Sequence, residues 1–504
     1  MKWYKLDKKY LLNFLLLSIL SLIYILPIIL TNLYFKDDQG WSLWRAIGLK
    51  GDGRPLGEYL VLALCGGEPV TDTAPLPLIL AVLFLSYSLT LYAKAKLDFI
   101  SDHHALLTLL LFIITNPFAV ECLSYRYGSM VMLVALGLPF IIFSMPDTLS
   151  KIKIFIYSSL LSIALMSLYQ AAIGMCLILF VADIFFVLFQ ERKINYAHEG
   201  LRIIGIGAGA IAYKVIIAHH YVSRSDWRYT ASQTLEFKPG SIIMIFQNII
   251  ATCNYIMEFI SEGALWYRLV LALIIILTML LTIVLYCRES KKKGWRKAMD
   301  ISFLLLSPIC VFIFSFLALM VLKQQTLKLR TFIALGGFLL YLGILLLHCA
   351  KKQQIFLRPL LLLLILCNFY HYTYVYSYAN AVNNQNEYAK YIAYNVAHDL
   401  ETINADGEFT QFSFIGQMPQ PKRTQIFCEK YPMTGALLPR YFTNDTWIGG
   451  AYVLHYLQGD IILASVTDSD KALIDSDEPV MANSLYSCYV NDNKIIVSFH
   501  ESLE

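Results

Sequence analysis

Charged residues are scarce in this 504-residue chain, and their scarcity excludes most soluble folds. Asp, Glu, Lys and Arg make up 15% of the sequence, hydrophobic residues make up 58%, and the mean hydropathy is +0.58. In a soluble domain about a quarter of the residues are charged. The formal net charge of +4 is too small to indicate a nucleic-acid partner. The composition therefore predicts a polytopic α-helical membrane protein, with membrane lipids around it.

Cofactor and metal motifs are also missing. The sequence contains no Walker or dinucleotide-binding glycine loop and no cluster of His, Cys, Asp or Glu with metal-ligand spacing. Of the ten Cys, eight lie in or beside apolar segments, where Cys behaves as a small hydrophobic residue. Only Cys428 and Cys488 lie in a polar region, and whether they pair stays open. No cofactor is therefore assigned, and a requirement for a divalent metal is left open.

Long apolar runs are plentiful, and we count eleven spans. The run from Tyr10 to Asn32 is about long enough to cross the hydrocarbon of a bilayer. It lacks a small-residue cleavage site and is longer than the apolar part of a signal peptide, so we interpret it as a retained span. The other predicted spans are 74–93, 104–116, 128–145, 152–168, 171–190, 201–220, 266–287, 301–322, 331–349 and 355–373.

The distribution of Lys and Arg predicts the orientation of these spans. With a cytoplasmic N-terminus, the loops on the inner side are the more basic ones, as the positive-inside rule requires. Eleven spans then place the first outer loop, 33–73, and the segment 374–504 outside the cytoplasm. Losing one span would reverse the side of the C-terminus. The inner loops contain Lys94, Lys96, Lys151, Lys153, Arg192, Lys193, Lys351, Lys352 and the basic cluster from Arg288 to Lys297.

The last part of the chain has the composition of a soluble domain. The pattern predicts a helix through Thr402, a strand from Phe409 to Ile415 and a helix from Trp447 to Leu457. Two further strands around Asn491-Asp492-Asn493 have the pattern of a hairpin. We therefore predict a transmembrane domain over 1–373 and a small extracytoplasmic α/β domain over 374–504.

The first outer loop carries two adjacent carboxylates, Asp37 and Asp38, directly after a span. Trp41 and Trp44 follow at helical spacing, which predicts a short amphipathic helix from Gly40 to Leu49 along the membrane interface. Ionisable residues at a membrane interface are costly and tend to be functional. The alternative is that these acids only solvate an ordinary extramembrane loop.

Basic residues mark other candidate binding positions. Arg54 precedes Pro55, which is predicted to be the first residue of a helix whose free N–H groups favour anions. The alternative is an ordinary turn in which Arg54 pairs with Asp52. Lys328 and Arg330 lie in a basic outer loop, against the positive-inside trend, which favours an anionic partner there.

The second outer loop contains an arginine between two tyrosines. Tyr125, Arg126 and Tyr127 follow Glu121 by a few residues. A guanidinium at such a place can bind phosphate through two parallel hydrogen bonds. The alternative, which does not exclude the first, is a structural ion pair between Glu121 and Arg126.

The order of these motifs resembles the bacterial and phage glucosyltransferase family that modifies O-antigen and converts serotype. The resemblance is clearest over roughly the first 180 residues and continues as a hydropathy pattern through the spans. Gly128 follows Tyr127 where such proteins often have an acid, so no role is assigned to that position. The motifs that carry the resemblance are Asp37-Asp38, Asp52-Gly53-Arg54-Pro55-Leu56, Ala74-Pro75-Leu76-Pro77-Leu78, Asn116-Pro117-Phe118, Ser124-Tyr125-Arg126-Tyr127 and Ser167-Leu168-Tyr169-Gln170.

The resemblance implies a GT-C membrane glycosyltransferase of the bacterial inner membrane. The donor would be a polyprenyl-phosphate sugar, with glucose as the expected sugar, and the acceptor would be lipid-linked O-antigen of lipopolysaccharide on the periplasmic face. Asp37 or Asp38 would be the general base, and Asp38 is favoured because it is nearer Trp41. The remaining candidates are Arg54, Arg126, Lys328 and Arg330 for the donor phosphate, and Glu121, Tyr125, Tyr127, Tyr169 and Gln170 for the substrate.

Two other functions compete with this one. A transporter or flippase for lipid-linked glycans would place ionisable residues near mid-span and often show an internal repeat. The spans here are nearly free of charge, the acids cluster at one interface and no repeat is visible, which favours the enzyme. A non-catalytic partner in envelope polysaccharide synthesis is the third alternative. The sugar, the acceptor hydroxyl and the oligomeric state are not specified by the sequence.

Overall fold

The computed structural model describes residues 4–189, 196–223, 227–231, 233–236, 238–290, 293–353, 357–443, 447–457 and 461–500. Several sequence predictions lie outside these residues. They concern residue 190 and residues 355–356 of two spans, parts of the loop that begins at Tyr221, and the basic residues Arg192, Lys193, Lys291 and Lys292.

The contacts divide the chain into two compact units. Unit 1 consists of Met1–Leu26, Gly48–Gly66 and Thr73–Val375. Unit 2 consists of Pro27–Ile47, Gly67–Asp72 and Tyr376–Glu504. The first outer loop of the sequence is therefore shared between the two units.

Helices dominate the first 403 residues. In chain order they are α1 Lys8–Thr31, α2 Asp38–Trp44, α3 Pro55–Cys65, α4 Leu76–Lys96, α5 His103–Ile114, α6 Val120–Ser124, α7 Gly128–Ser144, α8 Lys151–Leu168, α9 Gly174–Leu188, α10 Tyr196–Ala212, α11 His219–Tyr221, α12 Trp227–Ala231, α13 Pro239–Glu262, α14 Leu265–Glu289, α15 Trp295–Phe314, α16 Leu317–Met320, α17 Gly336–Gln353 and α18 Leu357–Ile403. Shorter elements join them, namely the 3₁₀ helices Pro117–Ala119, Gln170–Ile173 and Leu329–Leu335 and the π-helix Tyr213–Ala218.

Many of these helices are long and apolar enough to cross a membrane. Among the described residues nine meet this test, or ten if the bent pair His103–Ile114 and Pro117–Ser124 is one span. Three shorter apolar helices, Pro55–Cys65, Gly128–Ser144 and Gln170–Phe186, fall below the length. The chain is thus a largely helical membrane protein with several spans. The predicted count of eleven is not confirmed, and the orientation remains a prediction.

The segment from Tyr221 to Glu262, predicted to be an outer loop, contains the 24-residue helix α13. Gly240–Glu262 is itself apolar enough to be a candidate span, with a mean hydropathy of 1.4. Asn248 lowers that hydropathy, but its side-chain amide donates to the carbonyl oxygens of Met320 and Leu322 at 3.0 Å. A polar residue whose hydrogen bonds are satisfied within the protein does not interrupt a membrane helix. This segment was predicted to be a loop long enough to carry a helix, and the structure contains such a helix at residues 239–262.

The last predicted span does not end at residue 373, because α18 continues from Leu357 to Ile403 as one 47-residue helix. No Gly or Pro lies between Pro359 and Gly407, so the backbone contains no residue that would break the helix. The helix therefore continues through the polar sequence after Tyr374, where the side chains change in character but the backbone stays helical.

Close packing of α10 on α8 positions the π-helix that follows α10. A Cβ at Gly209 would lie 2.3 Å from the carbonyl oxygen of Ser159, and one at Gly205 would lie 2.8 Å from that of Phe155. Small residues allow helix backbones to approach in this way within a membrane. The chain then passes from α10 into the π-helix Tyr213–Ala218.

Four charged side chains are buried where α4, α9 and α10 meet, so the spans are less free of charge than predicted. Lys96 lies 2.5 Å from Asp183 and 3.7 Å from Glu199. Arg202 pairs with Glu199 and also donates to the carbonyl oxygen of Met145 at 3.0 Å. The two cations balance the two anions within this group.

The part of unit 2 after Ile403 contains both helices and strands. Its helices are α19 Lys422–Lys430, α20 Pro432–Gly435, α21 Trp447–Leu454 and α22 Asp468–Ser476, and its strands are β1 Gln411–Ile415, β2 Ile462–Leu463, β3 Met481–Ala482, β4 Tyr486–Asn491 and β5 Lys494–Phe499. Among the described residues the strands form one sheet in the order β2-β1-β5-β4-β3. The β1 strand is parallel to β2 and β5, and the other pairs are antiparallel.

Most of the predicted elements of this part are present. The predicted strand, helix and hairpin correspond to β1, α21 and the β4–β5 pair. The open question about Cys428 and Cys488 is answered in this structure, in which both are free thiols.

Candidate functional site

Six of the predicted binding residues come together in unit 1, although they are far apart in sequence. They lie just before α3, in and after α6, in the turn after α8, and in the first turn of the 3₁₀ helix Leu329–Leu335. Each segment lies at the end of a helix, where some backbone N–H and C=O groups have no hydrogen-bond partner within the helix. We call the group the arginine cluster, and it consists of Arg54, Glu121, Tyr125, Tyr169, Gln170 and Arg330.

A buried carboxylate holds one arginine of the cluster. Glu121 is fully buried, and its Oε2 accepts a hydrogen bond from the backbone N–H of Arg330 at 3.0 Å. Its Oε1 lies 3.7 Å from Nη1 of Arg330. The same guanidinium donates to the hydroxyl of Tyr125 and lies 5.4 Å from the centre of that ring. Glu121 therefore fixes both the backbone and the side chain of Arg330.

The second arginine is held by the turn after α8. The guanidinium carbon of Arg54 lies 4.9 Å from the ring centre of Tyr169, and its Nε donates to Oε1 of Gln170 at 3.3 Å. The hydroxyl of Tyr169 donates to the carbonyl oxygen of Arg330 at 3.0 Å. Tyr169 thus contacts Arg54 with its ring and Arg330 with its hydroxyl, and it joins the two arginines.

Tyr213 is a member of this neighbourhood that the sequence analysis missed. It is the first residue of the π-helix and is buried. Its hydroxyl accepts a hydrogen bond from Nε2 of Gln170 at 2.7 Å and donates to the carbonyl oxygen of Gly53 at 2.7 Å. It therefore holds the backbone before Arg54 and the amide that orients Arg54. π-Helical turns are frequent at functional sites, but the sequence carries no signal for one here.

The alternative in which Arg54 pairs with Asp52 is wrong. Asp52 lies 2.9 Å from Nε of Arg228, a residue of α12. Within the described part of the chain, no carboxylate is paired with Arg54. Its guanidinium is half-buried and stacked on Tyr169.

The other predicted binding residues flank the cluster in sequence. Arg126 and Tyr127 form the turn between α6 and α7, where Arg126 is half-buried and Tyr127 is buried. Lys328 is exposed and lies two residues before Arg330. Glu121 pairs with Arg330, and the predicted ion pair between Glu121 and Arg126 stays a prediction.

The charges of the arginine cluster favour an anion. It contains two guanidinium groups and one carboxylate, and the carboxylate of Glu121 is committed to Arg330. The side chain of Arg330 is 24% exposed whereas that of Glu121 is 0% exposed, so the accessible surface of the pair is the cationic one. Guanidinium groups bind phosphate in a planar, two-point geometry. The cluster therefore exposes more positive than negative charge.

The predicted base residues lie in unit 2 and differ in their surroundings. Asp38 is fully buried, and its Oδ2 accepts the backbone N–H of Phe35 at 3.1 Å. Asp37 is half-buried and occupies the N-cap position of α2. The predicted helix over Gly40–Leu49 is present as α2 but starts and ends earlier, because Arg45 adopts a left-handed conformation with φ of 61°.

The chain was compared with known proteins. A family model described as "Glucosyl transferase GtrII" matches residues 28–347, which include every predicted site residue. A curated protein of Salmonella phage P22, described as an uncharacterized 55.3 kDa protein in the gtrB 5' region, is 26% identical over 488 residues. The match covers 95% of this chain and 97% of the phage protein. No solved structure matches the chain.

Proposed function

Because the chain belongs to the GtrII glucosyl transferase family, we propose that it is a GT-C membrane enzyme that uses a polyprenyl-phosphate donor. In this proposal it moves glucose from that donor to lipid-linked O-antigen on the periplasmic face of the bacterial inner membrane. The P22 relative, whose description places it in the gtrB 5' region, supports a role in O-antigen modification.

One observation carries the choice of donor, namely that Tyr169 joins two arginines of unit 1. Arg54 stacks on the ring of Tyr169, and the carbonyl oxygen of Arg330 accepts a hydrogen bond from the Tyr169 hydroxyl. A glucosyl donor must leave an anion behind, and a polyprenyl phosphate is the anion that a lipid-embedded enzyme meets. Cations preorganised at the place where negative charge develops are often the largest contribution to catalysis.

The proposed reaction is an inverting displacement at the anomeric carbon. The acceptor hydroxyl oxygen forms a bond to C1 of glucose while the bond from C1 to the donor phosphate oxygen breaks. The hydroxyl proton passes to a carboxylate, and the electron pair of the broken bond leaves with the polyprenyl phosphate. Arg54 and Arg330 bind that phosphate, and Glu121, Tyr125 and Gln170 position the arginines.

Exposure favours Asp37 as the base over Asp38. A general base must come within hydrogen-bond reach of the acceptor hydroxyl, and Asp37 is half-buried at the start of α2. Asp38 is buried and already accepts the N–H of Phe35, which suits a residue that positions its neighbour. This reverses the preference drawn from the sequence.

Conservative changes at the two arginines test the donor site. Arg54→Lys and Arg330→Lys keep the charge but remove the planar, two-point geometry, so each is expected to lose about tenfold or more in donor affinity. Binding of polyprenyl-phosphate glucose to purified protein in nanodiscs measures this. Arg288→Lys, at an exposed position in the last turn of α14, is the matched control. Unchanged donor affinity in both cluster variants would mean that these arginines only brace their loops.

A further inference from the structure

Two tryptophans of unit 2 form an exposed pair. Trp44 is the last residue of α2 and Trp447 is the first residue of α21. Their ring centres are 5.0 Å apart, with an angle of 41° between the ring planes. Trp44 is 54% exposed and Trp447 is 36% exposed. Exposure of two adjacent indoles is costly, because each leaves apolar surface in contact with solvent.

A glycine makes this pair possible. A Cβ at Gly40 would lie 2.2 Å from Cζ3 of Trp447 and 2.5 Å from Cζ3 of Trp44. Both indoles therefore pack against the bare backbone of Gly40, which is one helical turn before Trp44. On the other side, α21 is anchored through its buried residues Gly449–Val453. The pair rests on a tightly packed support and is not a loose surface feature.

The surroundings of the pair differ from those of a membrane-inserted face. In α2 and α21, both described in full, Trp44 and Trp447 are the only exposed large hydrophobic side chains. The apolar helix α13 instead exposes a series of them, among them Ile242, Ile243 and Phe246. A lipid-facing surface presents such a continuous apolar stripe. A pair of indoles with no other large exposed apolar side chain on α2 or α21 instead suits a ligand that has both flat C–H faces and hydroxyl groups.

We propose that Trp44 and Trp447 form a stacking platform for the sugar rings of the acceptor glycan. This inference rests on the proposed function, and it assigns to unit 2 a binding surface for the acceptor. An aromatic ring gains stacking energy beyond its buried area from a well-matched flat partner. We call Trp44 and Trp447 the tryptophan platform.

The platform and the proposed base are parts of one short helix. Asp37 is the N-cap of α2 and Trp44 is its last residue, so they are separated by about 10 Å along the helix axis. This distance corresponds to a short oligosaccharide. The platform therefore binds sugar residues next to the one that receives glucose, and it contributes to acceptor affinity without contacting the reacting atoms.

Alanine substitutions separate acceptor binding from the rest of catalysis. In the full chain reconstituted in nanodiscs, Trp44→Ala and Trp447→Ala are each expected to raise the KM for lipid-linked O-antigen about tenfold. The KM for polyprenyl-phosphate glucose and the kcat are expected to stay at the wild-type values. Trp44→Phe and Trp447→Phe keep an aromatic face and should restore most of the acceptor affinity. Trp295→Ala, at a position that is 69% exposed in unit 1, is the control.

The outcomes distinguish failure of the platform from failure of the proposed function. An unchanged acceptor KM in both alanine variants overturns the platform, as does a parallel rise of the donor KM. If the wild-type protein transfers no glucose, calorimetric titration with delipidated O-antigen polysaccharide still decides the matter. Binding that is lost in the alanine variants supports the platform, and binding that persists overturns it. Quenching of Trp44 and Trp447 fluorescence by brominated lipids, found by comparison with their Phe variants, would assign the pair to the membrane instead.

Discussion

Asp37 and Asp38 are adjacent in sequence, but the structure gives them different environments. The carboxylate of Asp38 satisfies a backbone N–H inside unit 2, whereas Asp37 is half-buried at the N-cap of α2. A buried carboxylate that already accepts a backbone hydrogen bond is poorly placed to take a proton from a substrate hydroxyl. The two residues therefore suit different roles, the base and the residue that positions it.

Replacing each carboxylate by its amide separates these roles. Asp37→Asn is expected to lower kcat for glucose transfer about 10²- to 10⁴-fold, since the proton acceptor is removed while the size is kept. Asp38→Asn is expected to lower the melting temperature as well, because its Oδ2 accepts the N–H of Phe35. Transfer rates and thermal unfolding of both purified variants measure this. Near wild-type transfer by both variants would require the base to lie elsewhere.

Gly40 is a second position where one residue decides the local structure. Gly40→Ala places a methyl group within 2.5 Å of both indoles, and overpacking of this kind costs about 1–3 kcal/mol. We expect a lower melting temperature and a red shift of tryptophan emission as the rings separate. Gly207→Ala is the control, because a Cβ there meets no atom within 4 Å. Equal stability of the two variants would contradict the packing described for α2.

The sequence predicted most members of the arginine cluster but few of their partners. Arginines, tyrosines and an acid at helix ends are visible as residue types, and the family resemblance drew attention to them. The pairing of Glu121 with Arg330 joins residues 209 positions apart, and only tertiary packing determines it. Tyr213 was missed for the same reason, since its role depends on a π-helical turn that brings its hydroxyl to Gly53.

Among the helices and strands, features that depend on neighbouring residues were predicted well, whereas features that depend on distant residues were not. Pro55 is the first residue of α3, as its fixed φ favours, and the hairpin turns around Asn491–Asn493 as predicted. The loop from Tyr221 to Glu262 was expected to be long enough to carry a helix, but the sequence did not place α13 within it. The last span and the helix through Thr402 were both predicted, but the change of composition after Tyr374 hid their continuity as the single helix α18. In both cases the backbone followed helix propensity while the surroundings of the helix changed.

The contact of α22 with β5 gives unit 2 a defined response to acid. Burial alone would raise the pKa of Asp470, but hydrogen bonds from Lys494, Thr467 and Asn491 outweigh it and hold the pKa below its usual range. Because the folded-state pKa is lowered, the ionised carboxylate contributes stability above the pKa of an unfolded Asp. That contribution is lost as the pH falls through the lower folded-state value.

We therefore expect Asp470→Asn to be less stable than the wild-type protein at neutral pH. The difference should begin to shrink as the pH falls below about 4, the pKa of an unfolded Asp, and should vanish below the lower pKa of the folded protein. Thermal unfolding of both proteins across this range is the measurement. Lys471→Gln, at a partner of the exposed Asp468, is the control and should show no such dependence. A stability difference that is constant with pH would contradict the lowered pKa.

In the whole molecule, each unit carries residues with a proposed role of their own. The arginine cluster, proposed to bind the donor phosphate, lies entirely in unit 1. The carboxylates and the tryptophan platform, proposed for the acceptor, lie in unit 2. Composition was enough to predict a membrane protein. It could not predict the number of spans, because helices such as α7 and α9 are shorter than a full span and their burial is set by neighbouring helices.

The central claim is that the protein transfers glucose from a polyprenyl phosphate to a glycan. The most direct measurement uses purified protein in sealed liposomes with radiolabelled polyprenyl-phosphate glucose and lipid-linked O-antigen. We expect the label to become covalently attached to O-antigen, with release of polyprenyl phosphate, and we expect Arg54→Lys and Asp37→Asn to reduce this transfer. Label that crosses the bilayer while remaining on its polyprenyl carrier would contradict the account and identify a flippase.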